Sequence, residues 1–190
     1  MGTRLFAALS PPPTAIEHLL GAVVAVQTAH DGLRWIPAER LHLTVAFFGD
    51  VDELQIADLR TRLSRAATHH DAMELRFRGA GAFSRAASAQ VLWCGVDGPL
   101  DKLGSLASSA AAAGRRVGLA VDDRPYRPHL TLARAGGRAR VDVRSIVAAL
   151  ADYVGPSWPA EHLHLIASHL GPQPRYEVVD QWPLRPAYQE

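Results

Sequence analysis

The chain has 190 residues, of which 48% are hydrophobic and 21% charged, and its formal net charge is +1. That length carries one sizeable domain, or two small lobes that share a core. The near-neutral balance excludes the broad basic field of a protein that grips long nucleic acid through its phosphates.

From the start of the chain, "RLFAALS" reads as a strand, ended by Pro11 to Pro13. Its apolar run, Leu5 to Leu9, is too short for a signal-peptide core. Phe6 stands where a myristoylation motif requires Ser or Thr. No stretch reaches the length of a membrane span, so a cytoplasmic protein with no membrane partner is expected. A helix should begin near Pro13 or Thr14, with Ile16, Leu19, Leu20, Val23 and Val24 on one stripe. "LRWI" is a short strand with Trp35 in the core, and "PAER" is a turn. "LHLTVAFF" is the next strand, stopped by "GD". A helix then spans about Asp52 to Thr68, with Asp52 as its cap and Leu54, Leu59 and Leu63 as its apolar set. His69 and His70 come after it, either as cations suited to a helix C-terminus or as solvated side chains.

Two strands come next, near Met73 to Phe83 and Gln90 to Val96. Cys94 is the only cysteine. It excludes an internal disulfide and a cysteine-rich zinc site, and fits a buried strand. "PLDKLGSLASSAAAA" is a helix ended by Gly114. Lys102 within it is the only lysine among twenty cations, so a substrate anion would meet arginine, the better bidentate partner. "HLTLAR" is a strand, "VDVRSIVAALADY" a helix, and "EHLHLIASHL" and "RYEVVDQWPL" are the closing strands. This mixed order suits an α+β fold, with helices packed on antiparallel sheet.

One string occurs twice. His42, Leu43, Thr44, Ala46 and Gly49 recur 87 positions later as His129, Leu130, Thr131, Ala133 and Gly136, with Leu132 in the place of Val45. Each copy is followed by a Val-Asp pair and a helix. A duplicated unit, arranged as a pseudo-two-fold pair of lobes, explains both copies. Side chains alternate along a strand, so His42 and Thr44 share one face, roughly 7 Å apart, as do His129 and Thr131. Leu43, Val45 and Phe47 are expected to face the core. A pseudo-two-fold axis would then bring two imidazoles and two hydroxyls to one cleft. That set suits in-line displacement at phosphorus: one imidazole as base, one as acid, and the hydroxyls as donors to the non-bridging oxygens. No metal or other cofactor is required.

With these motifs the chain resembles the 2H phosphoesterase superfamily, named for two H-x-[ST]-x motifs. Within it the chain looks like the RNA 2′,3′-cyclic phosphodiesterases, once called 2′-5′ RNA ligases. "RLFAALSPP", "LRWIPAERLHLTVAFFGDV", "RPHLTLAR" and "LIASHLGPQPRYEVVDQWPL" stand in that family's order. The resemblance implies a single bilobal α+β domain over residues 1–190, with an antiparallel sheet and flanking helices in each lobe and the active-site groove between them. It implies His42 as proton donor, His129 as proton acceptor, and Thr44 and Thr131 as phosphate-binding residues. Pro174 departs from the family, standing near where many relatives have a glycine in the last hairpin.

Arg134 follows Thr131 by three, and by simple alternation it faces away from His129. A strand end that twists or bulges would bring it to the cleft rim; the family often has arginine there, so Arg134 is a candidate substrate contact, the alternative being a solvated or structural arginine. Arg127, Tyr126 and Phe48 flank the motifs and are candidate substrate contacts, although packing is the commoner role for such residues. His162 and His164 share a face like a metal pair but lack a third ligand at a convincing spacing.

The expected activity is metal-independent hydrolysis of a 2′,3′-cyclic phosphate, at an RNA end or on a nucleotide, to a 2′-phosphomonoester. The alternatives are a phosphodiesterase for another small cyclic phosphate or nucleotide conjugate, and an RNA-end-binding module without turnover. A monomer is expected.

Overall fold

The computed structural model describes residues 2–27, 32–169, 171 and 174–186. In chain order the elements are β1 (Thr3–Leu9), α1 (Pro13–Gln27), β2 (Leu33–Trp35), β3 (Leu43–Val51), α2 (Glu53–Thr68), β4 (Met73–Arg85) and β5 (Ser88–Asp97). There follow α3 (Leu100–Arg116), β6 (His129–Ala135), α4 (Arg144–Ala149), β7 (Trp158–Ala160), β8 (His162–His169) and β9 (Arg175–Pro183). The strands form one antiparallel sheet in the order β7-β4-β5-β6-β3-β1-β8-β9, with β2 paired to β6.

The duplication is visible in this order. In one half β3 pairs with β1 and β1 with β8; in the other β6 pairs with β5 and β5 with β4. The halves join where β6 meets β3, through the pair Leu43 and Leu130. Both leucines are fully buried. Helices α2 and α3 pack together over the half that contains β3, whereas α1 and α4 lie against β4 in the other half. Each half therefore receives one helix from the opposite repeat. This exchange, with a core that runs through both halves, ties the two together by apolar burial, the dominant favourable term in folding.

Several local expectations need correction. Strand β3 does not stop at "GD" but continues through Val51, because Gly49 takes φ +72° at an irregularity in its pairing with β1. Leu54 is 91% exposed in the first turn of α2, and Val24 on α1 is exposed as well. Helix α3 runs past Gly114 to Arg116. Gly114 is there for close approach: a Cβ on it would lie 2.8 Å from the Phe48 ring. Helix α4 covers only Arg144–Ala149. Its expected first turn is occupied otherwise, since Val141 pairs with Ala89 and the Asp142 carboxylate accepts from the Arg144 backbone N–H. Strand β7 is an addition to the elements that the residue pattern predicts.

Other expectations hold. Asp52 precedes α2, and its backbone N–H donates to Gln55 Oε1 at 3.1 Å. Cys94 is buried in β5, and burial pushes its thiol up to about 12. Pro174 directly precedes β9; residues 170, 172 and 173 of that hairpin lie outside the described residues.

Candidate active site

The Leu43–Leu130 pair is the centre of the site. Continued one residue each way, that antiparallel register aligns His42 with Thr131 and Thr44 with His129. Residues opposite each other share a face. With both leucines in the core, the two histidines and two threonines therefore occupy the other side of the sheet, and all four are partly exposed. His42 lies one residue before β3, and His129 opens β6.

The two imidazoles are held alike. His42 Nδ1 lies 2.8 Å from the Arg40 carbonyl, and His129 Nδ1 lies 2.7 Å from the Arg127 carbonyl. A carbonyl only accepts, so Nδ1 carries the hydrogen in each ring, and Nε2 is the nitrogen available to a substrate. Arg40 and Arg127 both stand two residues ahead of their histidine, so the repeat extends further upstream than the His-x-Thr string. Arg127 thus serves through its backbone, and its side chain is exposed.

Aromatic rings fix the imidazoles from the side. His42 packs on Phe6 at 4.6 Å between centroids and edge-on to Tyr176 at 5.2 Å, with the Arg40 guanidinium over the Tyr176 ring. His129 stands perpendicular to Phe83 at 4.7 Å and lies near Trp93 at 6.5 Å. These rings come from other strands, and no spacing in the sequence signals them. Burial lowers the pKa of both histidines. His42 falls to about 4, with the charges of Arg134, His129 and Arg40 adding to the effect. His129 is lowered by burial and by Arg134. The carbonyl bonds act the other way on each.

Matched bulges re-aim the side chains just beyond each motif. Val45 is left without a partner on β1, and Leu132 without one on β5. A bulge places two successive side chains on one side. Val45 and Ala46 are both buried, as are Leu132 and Ala133. The next residue then returns to the histidine face, which brings Arg134 round to the cleft. Its mate in the first repeat is Phe47. Simple alternation puts Phe47 in the core, but it is 42% exposed, with the Arg4 guanidinium 4.8 Å from its ring centre. Phe48, a candidate substrate contact by its place in the sequence, is 2% exposed and packs in the core on α3. Tyr126 is partly buried, and its hydroxyl donates to the Thr44 carbonyl at 2.9 Å.

His162 and His164 lie on β8 with ring centroids 6.2 Å apart. Among the described residues, no group of three or more His, Cys, Asp or Glu side chains is placed to hold a metal ion. His69 Nδ1 caps the Arg65 carbonyl at the end of α2, and His70 bonds to Ser109. No helix among the described residues is long and apolar enough to cross a membrane.

One antiparallel sheet with a two-fold-related pair of His-x-Thr strands at its seam is the architecture of the 2H phosphoesterases. The chain belongs to the 2′-5′ RNA ligase superfamily, whose profile matches residues 11–172. It is 27% identical to an RNA 2′,3′-cyclic phosphodiesterase of Methanothermobacter thermautotrophicus, over 90% of this chain and 93% of that one. It is 30% identical to a protein of the same name from Thermus thermophilus, over 96% of this chain and 90% of the relative. Some matches are partial: the one to the Geobacillus stearothermophilus protein covers 47% of its length. Among solved structures, the Thermus thermophilus protein TT0787 superposes with a TM-score of 0.78 at 27% identity, covering 97% of this chain and all of that one. E. coli LigT in complex with 3′-AMP superposes with a TM-score of 0.77 at 26% identity, covering 97% and 99%.

Proposed function

We propose that this protein hydrolyses the 2′,3′-cyclic phosphate of an RNA end or a nucleotide, leaving a 2′-phosphomonoester, by acid–base catalysis between His42 and His129. The observation that carries this reading is the twin placement at the seam. Two imidazoles, each with Nδ1 bound to a carbonyl and Nε2 left for substrate, share one face with two threonine hydroxyls. The names of the relatives and the 3′-AMP complex of LigT support the substrate class.

In this scheme water attacks phosphorus while neutral His129 takes its proton at Nε2. The bond to the 3′-oxygen breaks, and His42 gives that oxygen the proton carried on its own Nε2. The two nitrogens act on opposite sides of the phosphorus, as in-line displacement requires. Thr44 and Thr131 donate to the non-bridging oxygens, where charge gathers in the transition state. Arg134, brought to the same face by the Leu132 bulge, adds a fixed positive charge.

The division of labour between the histidines follows the family resemblance. Burial disfavours a proton on His42 in the free cleft, so its role as donor depends on the substrate. A phosphate monoanion bound between the rings favours the imidazolium form of both.

The test is turnover of 2′,3′-cyclic AMP by the purified chain in excess EDTA, with the product resolved as 2′-AMP or 3′-AMP. Formation of 2′-AMP at an undiminished rate under chelation is expected. Activity that is lost on chelation and restored by a divalent ion, or 3′-AMP as the product, would refute the scheme.

A further inference from the structure

The two catalytic half-sites match, but the ground beside them does not. On β5, Trp93 pairs with Thr131, and its mate on β1 is Ala8, which pairs with Thr44. One strand further out, Gly81 pairs with Trp93, and its mate His164 pairs with Ala8. In the second half the indole fills the flank by lying across Gly81, where a Cβ would sit 2.3 Å from the ring. In the first half the order of sizes is reversed. A methyl group stands next to the catalytic residues, and the larger side chain lies further away.

Beyond it, where β1 ends and β8 begins, is a hollow of about 220 Å³ lined by Ser10, Pro12, Pro159, Glu161, His162 and His164. Ser10 Oγ lies 3.3 Å from His164 Nδ1. The hollow adjoins the catalytic face: Ser10 follows Leu9, which pairs with Leu43, the neighbour of His42. His164 lies two strands from Thr44, roughly 10 Å. That is the reach of a nucleoside from its phosphate to the far edge of its base.

We infer that this hollow receives the base of the nucleotide whose cyclic phosphate lies between His42 and His129, so that the substrate is oriented with its nucleoside toward the β1–β8 side. The inference rests on the proposed activity and names how that site holds its substrate. The lining contains no lysine or arginine, and the Glu161 carboxylate repels an anion, so a second phosphate is disfavoured there. A neutral, flat base suits it. Proline and imidazole faces offer stacking surface, and Ser10, the imidazole nitrogens and Glu161 offer both donors and acceptors to a base edge. Burial also lowers the pKa of His164, which favours the neutral ring that can donate at one nitrogen and accept at the other. In the other half the Trp93 ring lies over Gly81, the mate of His164.

The experiment compares 2′,3′-cyclic AMP with glycerol 1,2-cyclic phosphate, which has the strained ring but no base. The ratio of their kcat/KM values is measured in the full-length wild type and in His162→Ala, His164→Ala and the double variant. Because the ratio is taken within one protein, loss of folded material cancels. It should fall roughly 5- to 20-fold, through KM for the nucleotide, and His164→Gln should recover part of it. A ratio equal to the wild type's in all variants overturns the inference, whatever the absolute rates. If the wild type turns over neither compound, the proposed activity has failed instead, and calorimetry decides the hollow separately. In that case the affinity for 2′-AMP should drop in the double variant relative to that for inorganic phosphate, and an equal change in both overturns the inference.

Discussion

Tyr126 donates its hydroxyl to the backbone carbonyl of Thr44 at 2.9 Å, across 82 positions of sequence. A residue just ahead of the second His-x-Thr motif therefore holds the backbone of the first. Tyr126→Phe keeps the ring and removes only this bond. A loss of about 1 kcal/mol in unfolding free energy is expected from denaturant titration. If the role is positioning, kcat should fall while KM for a cyclic nucleotide changes little. A rise in KM alone would instead make the hydroxyl a substrate contact.

Under the proposed scheme, replacing either imidazole should abolish most turnover without unfolding the chain. His42→Ala and His129→Ala are each expected to lose about 10²-fold or more in kcat. The double variant should be scarcely worse than either single one, because the proposed scheme places both groups in one transition state. Single-turnover assays alongside circular dichroism provide the check. Near-normal turnover by either variant would remove that histidine from the mechanism.

The threonines should matter less than the histidines. Thr44→Val and Thr131→Val preserve the branched shape and delete the donor, so kcat should drop roughly 10- to 10³-fold. Serine at either position should restore most of it. A change confined to KM would mean that the hydroxyls bind ground state and transition state alike.

The pH dependence follows from the direction of the histidine shifts. Both imidazoles are lowered in the free cleft. The profile of kcat/KM, which reports the free protein, should be a bell centred below 6.5, the base setting its acid limb and the acid its alkaline limb. The two apparent constants belong to the coupled pair. Bound phosphate favours the protonated rings, so the kcat bell should sit at higher pH than the kcat/KM bell. A single rise to a plateau at high pH would mean that no protonated donor takes part.

Stability should carry the same signature. His42 takes up its proton near 4 when folded and near 6.5 when unfolded. Between those values the unfolded chain binds more protons, so the contribution is fully present above about 6.5 and is lost as pH falls toward 4. Its size is on the order of 3 kcal/mol. Denaturant midpoints measured from pH 7 to 4 should fall less steeply in His42→Asn than in the wild type.

Much of this protein could be read directly from its residues. The doubled His-Leu-Thr string, each copy with apolar neighbours facing one way and polar ones the other, is a local pattern that alternation along a strand turns into a shared polar face. Leu43 and Leu130 in the core and the four partly exposed polar residues agree with it. Where alternation failed, the cause was a bulge. Phe47 and Phe48 exchange places, and Arg134 turns toward the cleft, because Val45 and Leu132 drop out of register with the neighbouring strands. No residue type at those positions announces a bulge; it is settled by the partner strand.

The same holds for the rings around the histidines. Phe6, Phe83, Trp93 and Tyr176 reach them from four different strands, and a contact between distant strands leaves no spacing to find. The exchange of helices between the halves, and the reversal of large and small side chains that separates Trp93 from Ala8, likewise arise only when the sheet is assembled. The sequence by itself determined which imidazoles and hydroxyls share a strand face, since that depends on residue type and strand period. Only the tertiary structure decided how those side chains are desolvated, which residues join them at the rim, and on which flank there is room, because burial and register are properties of packed neighbours.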